Sequence, residues 1–341
     1  MKKYKKEIRL SSFNDLCLCV YVIGYKNIGE SIVILFKDRN KAELSTIFSV
    51  VIDCYKTDTL FVTKKILDDN GVKSIDAVCW THPHRDHTPG IDKLVNDYYK
   101  EDMWVFLPKF YFGNIKKDLL KAESKYTKET YASLNTILNN KGNPTEVRKT
   151  IMANGDMTCH YPILMTSDDG SSRDLDFYFL TPHGGLADQY TIPGNELSHP
   201  NDLSISFVMS VDGYDFYFGG DAENDHVENI EKAIIQDMRW IKVPHHCSSG
   251  GKVICDNLGN RFDCAASTVY ASSGLPKEDI QNQYAGKGRL FMTQMKGEEL
   301  LHEYGVVEFD YSFHKDNIQV DVHTYGNARE FLLYPEKESG S

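Results

Sequence analysis

Several features are missing from this chain, and each absence excludes something. None of the eight cysteines (Cys17, Cys19, Cys54, Cys79, Cys159, Cys247, Cys255 and Cys264) forms a Cys-x-x-Cys pair, so no zinc-ribbon or thioredoxin-type motif is present. The basic start, Met1-Lys2-Lys3-Tyr4-Lys5-Lys6, is followed by Glu7-Ile8-Arg9-Leu10 rather than by the apolar run of a secretory signal. No stretch approaches the roughly 20 apolar residues of a membrane-spanning helix; even Ser49–Val51 runs straight into Asp53. These absences predict a soluble, cytoplasmic chain with no membrane contact. Its thiols are expected to be reduced and mostly to fill the core, with Cys17 and Cys19 sharing one face of a strand. Net positive charge is also lacking. The balance of −11 argues against broad nonspecific nucleic-acid binding, which usually shows a basic footprint. Internal repeats and low-complexity segments are absent as well.

With 341 residues, 41% of them hydrophobic, the chain can bury a sizeable core without covalent staples. One domain over residues 1–335 is expected, with residues 336–341 frayed. Lys109, Lys116, Lys117, Lys121, Lys125, Lys128, Lys141, Arg148 and Lys149 make one stretch locally basic. That stretch reads either as a solvated helix face or as a grip for an anionic substrate.

Apolar patterning predicts strands over 17–24, 31–36, 46–52, 75–80 and 103–107, and helices over 59–69 and 91–99. Polar helices are expected over 118–138, and 146–170 follows neither period. Strands then return at 175–180, 203–211 and 214–218, the last two as a hairpin around Asp212-Gly213. A helix over 222–236, a strand over 240–244, and strands over 267–271 and 289–293 flanking a helix over 276–284 complete the pattern. Strand, helix, strand is the opening of a βαβ unit.

The segment Thr81-His82-Pro83-His84-Arg85-Asp86-His87 carries the chemistry. Three histidines and an aspartate fall within six residues, directly after a buried strand. His82 and His84, two apart, suit one cation, while Asp86 and His87 can turn towards a second. Imidazole nitrogen and carboxylate oxygen suit zinc, manganese or iron. Asp221, in Phe218-Gly219-Gly220-Asp221, and His245-His246 also follow strands. An αβ sheet places its functional loops at such strand ends. A carboxylate with two oxygens can bridge two cations, so two divalent ions are expected, zinc first among them.

This pattern of His82-x-His84-x-Asp86-His87, then Gly-Asp221, then a late histidine resembles the metallo-β-lactamase superfamily. More narrowly, it is similar to the branch of ComEC-type DNA-uptake soluble domains and phosphorylcholine esterases. Val51-Ile52-Asp53, Asn201-Asp202-Leu203-Ser204-Ile205, Val243-Pro244-His245-His246-Cys247-Ser248 and Tyr270-Ala271-Ser272-Ser273 extend the resemblance from about 15 to about 325. Cys247 stands where the branch commonly has glycine. The resemblance implies an αβ/βα four-layer sandwich (α/β, or α+β), with 109–170 as a helical or irregular insertion near the active site. It implies the metal ligands His82, His84, Asp86, His87, Asp221 and His245, with Asp53 steering a ligand histidine. The superfamily's usual third histidine has Asp202 at its aligned position, with His199, His160 and His183 as alternatives.

The resemblance further implies hydrolysis by a metal-activated water, with Asp86 and Asp221 at the nucleophile and His246 protonating the leaving oxygen; the roles of His245 and His246 can be exchanged. Phosphodiesters are the expected substrates: nucleic acid, a nucleotide or a small phosphoester. Lys242, Lys252 and Lys287, near the last motif, add positive charge. A lactonase or thioesterase on the same metals is the alternative. A non-catalytic metal-binding regulatory or interaction protein is the reading from another class.

Overall fold

Leu16–Tyr25 and Gly29–Asp38 are buried at every position, the signature of strands covered on both faces. A computed structural model describes residues 3–40, 45–109, 128–129, 148–151, 159–189, 192, 199–259, 262–314 and 317–333. Its strands are, in chain order, β1 (Lys6–Leu10), β2 (Leu16–Tyr25), β3 (Gly29–Asp38), β4 (Ser45–Asp53), β5 (Ala77–Cys79), β6 (Trp104–Pro108) and β7 (Arg148–Ile151). Then come β8 (Cys159–Ser167), β9 (Ser172–Thr181), β10 (Ser206–Val211), β11 (Tyr214–Phe218), β12 (Trp240–Lys242), β13 (Cys264–Ser267) and β14 (Arg289–Met292). The last three are β15 (Gly305–His314), β16 (Asn317–Gly326) and β17 (Arg329–Phe331).

These strands form two mixed sheets. One runs β16-β15-β2-β3-β4-β5-β6-β7, the other β1-β8-β9-β10-β11-β12-β13-β14-β17. Their facing surfaces share one apolar core. Aromatic rings bridge the gap: Phe48 lies 6.3 Å from Phe177, and Trp240 lies 5.5 Å from Phe309, centroid to centroid. On the outer face of the eight-stranded sheet, Val62 and Leu67 of helix α1 (Val62–Asp69) and Ile91, Leu94 and Val95 of helix α2 (Ile91–Asp97) close a second cluster. Short helices over 224–285 cover the other sheet, burying Val227, Ile235, Ile254 and Ile280. The order is helices, sheet, sheet, helices.

Each sheet has a four-stranded parallel run, β4-β5-β6-β7 and β11-β12-β13-β14, and β1 also pairs parallel with β8. The carboxyl ends of these parallel strands deliver Asp53, the 81–87 loop, Asp221, His245-His246 and Thr268 to the site.

Several expectations shift. Helix α1 starts at Val62, not 59, because Thr57 Oγ1 takes the N–H groups of Thr59 and Leu60 in a turn at 3.2 and 2.8 Å. The helix expected over 222–236 breaks into Asn224–Val227 and Lys232–Ile235. Asn229 Nδ2 donates to Asp225 O at 2.8 Å, the carbonyl that the Asn229 backbone would use to continue the helix. The strand expected over 267–271 lies earlier, at β13, in register with β12 and β14. β1, β15, β16 and β17 were not anticipated.

The far end of the expected 109–170 insertion is instead β8, inside the nine-stranded sheet. It pairs antiparallel with β9 across a turn in which Asp169 Oδ1 accepts from Ser171 N at 2.9 Å. β7 likewise extends the other sheet. The helices expected over 118–138 lie almost wholly outside the described residues. Lys109 pairs with Asp188 at 3.5 Å. All eight cysteines are free thiols, and all but Cys159 are buried.

Candidate metal centre

After β5 the chain bends at Pro83, where the His84 N–H donates to His82 O at 3.0 Å, and Arg85–His87 then forms one 3-10 turn. Trp80 Nε1 donates to Thr88 Oγ1 at 3.1 Å, and that hydroxyl donates to His84 O at 2.6 Å, which closes the loop on itself. His82 and His84 face each other, Nε2 to Nδ1, at 2.9 Å. The turn brings Asp86 and His87 back beside them.

Asp221 arrives from β11. Its N–H donates to Ser204 Oγ at 2.8 Å. Gly220 before it has φ +51°, and a Cβ there would lie 2.6 Å from Ser204 Oγ and 2.7 Å from Ile205 O, so only glycine fits. Oδ2 of Asp221 lies 3.7 Å from His82 Nε2, 3.4 Å from His87 Nε2 and 3.5 Å from His246 Nε2. His246 Nε2 is also 3.1 Å from Asp86 Oδ2, and His87 Nε2 is 3.5 Å from the same oxygen.

Two donor groups therefore share Asp221. One is His82, His84 and Asp221; the other is Asp86, His87, Asp221 and His246. Buried His and Asp side chains in these groups can hold a metal ion. Four tetrahedral nitrogen and oxygen ligands at about 2.0–2.2 Å from zinc stand about 3.3–3.6 Å from one another. Four of the separations in the second group, 3.1–3.5 Å, lie close to that range. His87 Nε2, His246 Nε2 and Asp221 Oδ1 are buried without a hydrogen-bond partner, a costly state that a cation relieves. The residues fit such an ion.

The other ring nitrogens are tied down. His87 Nδ1 donates to Asp53 Oδ2 at 2.7 Å. The Thr81 hydroxyl donates to the same oxygen at 2.6 Å, so its own oxygen accepts from His82 Nδ1 at 3.0 Å. Asp53 thus orients one histidine directly and another through Thr81, as a carboxylate behind a metal ligand does. It sits at φ +53°, a strained conformation for aspartate.

Charge separates the histidines. Burial, and then His87 and His84, hold His82 well below the usual imidazole range. Burial also lowers His84. Both are thereby held towards the neutral form, the form that binds a cation. Burial lowers His87 too, but Asp221, Asp86 and Asp53 outweigh it and raise it well above that range. His246 follows the same logic: Asp221, Asp86 and Glu30 overcome burial and push it up to about 10. Burial raises Asp221, yet His246, His87 and His245 hold it well below the usual carboxylate range.

Most of the expected residues converge here. Of the two late histidines whose roles the sequence leaves exchangeable, His246 rather than His245 joins the donor group. Three consecutive residues, His245, His246 and Cys247, have φ of +46°, +51° and +61°, and this left-handed turn drives the second histidine inward. His245 instead places Nδ1 3.0 Å from Glu223 Oε1. It lines a cavity of about 320 Å³ with Arg85, Asp86, Asp221, His246 and Tyr270.

Asp202 does not supply the third ligand of the first group. It sits in a 3-10 turn over Pro200–Leu203, and its Oδ1 lies 3.8 Å from His226 Nε2. Among the described residues no other His, Cys, Asp or Glu joins His82, His84 and Asp221. His160 bonds Asp176 at 2.7 Å, away from the centre.

The three lysines expected to attract an anion are occupied. Lys242 is buried against Glu30 at 2.9 Å, Lys252 pairs with Asp256 at 2.6 Å, and Lys287 caps Cys255 O at 2.6 Å. Glu30, Thr268 and Glu223 went unnoticed in the sequence, and Thr81 stood in the motif without a role of its own. The available signal was a glutamate and a lysine next to the apolar runs of β3 and β12, since buried charges come in pairs.

Compared with protein-family profiles and with curated protein sequences, the chain matches none.

Proposed function

We propose that this protein is a metal-dependent hydrolase of metallo-β-lactamase type, acting on phosphodiesters. The observation that carries the reading is the sharing of Asp221 between two donor groups, buried except for the half-buried His84, whose nitrogens and oxygens converge. His82, His84 and Asp221 would hold one divalent cation, and Asp86, His87, Asp221 and His246 the other. When bound, such ions supply Lewis acidity and lower the pKa of a water towards neutrality.

The chain's own residues do the rest. Asp53 and Thr81 fix the ligand rings. Asp86 and Asp221 bring negative charge to the cavity floor and orient the attacking water. His245, with Nδ1 3.0 Å from Glu223 on the cavity wall, would hand a proton to a leaving oxygen, the role expected earlier of His246. Arg85 on the same wall offers a planar pair of donors to a phosphoryl oxygen. A guanidinium beside the metal carboxylates, together with the motif's likeness to phosphodiesterases, favours phosphoesters over lactones and thioesters.

The test is hydrolysis of bis-p-nitrophenyl phosphate, a lactone and a thioester by zinc- or manganese-loaded protein, beside its Asp86→Ala/His87→Ala variant. Phosphodiester cleavage that the double variant loses is expected. Equal rates in both proteins would end the reading; lactone cleavage alone would move it to the other substrate class.

A further inference from the structure

Glu30 and Lys242 are buried charged residues near the start of β3 and at the end of β12. Their side chains meet at 2.9 Å with exposures of 3% and 0%. A buried ion pair is on balance no more stabilising than apolar residues of the same volume. Its presence therefore calls for a local reason, and the contacts of Glu30 provide one.

Glu30 Oε2 accepts a hydrogen bond from the Thr268 hydroxyl. Paired with the Lys242 ammonium, the carboxylate is an acceptor, and Thr268 has one proton to give. The oxygen of Thr268 must then accept from its other partner, His246 Nδ1, at 2.8 Å. In the neutral ring that binds a cation, this holds the one proton of His246 on Nδ1 and leaves the Nε2 lone pair facing Asp86 and Asp221. Gly24 makes the room: a Cβ there would lie 2.6 Å from Thr268 Cγ2. The arrangement repeats, on the other side of the centre, the chain from Asp53 through Thr81 to His82.

We propose that Glu30, acting through Thr268 and with its charge balanced by Lys242, is the positioning residue that fixes the ring and tautomer of His246 as a metal ligand. This rests on the two-cation reading above. Lys242 keeps the added carboxylate from deepening the negative charge of the centre. The pair therefore orients the ligand without changing the net charge that the cations meet.

The test is zinc titration of the purified full chain by calorimetry, with thermal melts as the control for folding. The variants are Thr268→Val, Thr268→Ser and the paired change Glu30→Met/Lys242→Met, which removes both charges and keeps the packing volume. Loss of a hydrogen-bond partner behind a ligand weakens metal binding about 10–100-fold.

Thr268→Val and the paired variant are expected to lose that much affinity at one of two sites and to keep the other. Thr268→Ser is expected to restore wild-type binding. A role in folding alone would lower the melting temperature and leave both binding steps unchanged, and that result overturns the proposal. Wild-type protein that takes up fewer than two equivalents overturns the two-cation reading and the relay together. Two equivalents in the wild type with unaltered variants overturns the relay alone.

Discussion

His245 and His246 are adjacent in the chain yet serve different partners: His246 Nε2 lies 3.1 Å from Asp86, whereas His245 Nδ1 lies 3.0 Å from Glu223. The left-handed turn through both residues separates them, and substitution should separate them functionally. His246→Ala is expected to lower metal content by about one equivalent per chain. His245→Ala should keep the metal and lose roughly 10²–10⁴-fold in kcat, the usual contribution of a positioned acid. Metal analysis and steady-state kinetics on the two variants check this, and loss of metal from His245→Ala instead would reverse the assignment.

Asp53 holds two ligand histidines, His87 directly and His82 through Thr81. Asp53→Asn is therefore expected to weaken binding of both ions, each by about 10–100-fold. The cost should exceed that of Thr81→Val, which touches only the His82 arm. Chelator competition with a coloured zinc indicator reads both variants. Equal effects would break the link between Asp53 and His87.

Metal-free protein should lose stability as the pH rises. The folded pKa of His246 is raised to about 10 from the ordinary value near 6.5, and His87 is raised as well. A raised histidine contributes stability that is complete below about pH 6.5 and is lost as pH climbs through the folded value. Deprotonation leaves Asp86 and Asp221 facing each other without their cations. Bound metal replaces those protons and should flatten the curve. Melting temperatures between pH 6.5 and 10, with and without zinc, test this by difference, since other titrating groups contribute to both curves. Parallel curves would mean that the ion binds elsewhere.

Phe207 stands at the centre of the inter-sheet core, with ring centroids 5.2 Å from Phe179 and 4.9 Å from Phe218. Phe207→Ala is expected to cost about 3–5 kcal/mol of stability. It should leave metal affinity unchanged, since the ring faces the other sheet and not the loops. Urea unfolding and zinc titration of the same variant separate the two effects.

What could be read in the sequence follows from how local each signal is. Strands β2, β3, β10 and β11 announce themselves through apolar runs and an Asp212-Gly213 turn, whose φ values of +53° and +80° are what a tight hairpin requires. The 81–87 motif is equally local, because a single loop carries four of the donors. The choice between His245 and His246 is not local: it depends on three successive left-handed residues, which no periodicity encodes. Asp202 was misplaced because it aligned in the chain, while the 3-10 turn over Pro200–Leu203 aims it at His226. Glu30 was passed over because its partners, Lys242 and Thr268, are more than two hundred residues away in the chain. Strands β15 and β16 escaped notice because β16 alternates exposed and half-buried residues at the sheet edge and so lacks a strong apolar run.

The central claim is that Asp221 belongs to both donor groups, and metal content tests it most directly. Purified wild-type protein and its Asp221→Ala variant, each loaded with zinc and dialysed, are compared by elemental analysis, with circular dichroism to verify folding. Two equivalents in the wild type and loss at both positions in the folded variant is the predicted result. Wild-type protein that retains no zinc, or a folded Asp221→Ala variant that still holds two equivalents, would contradict it.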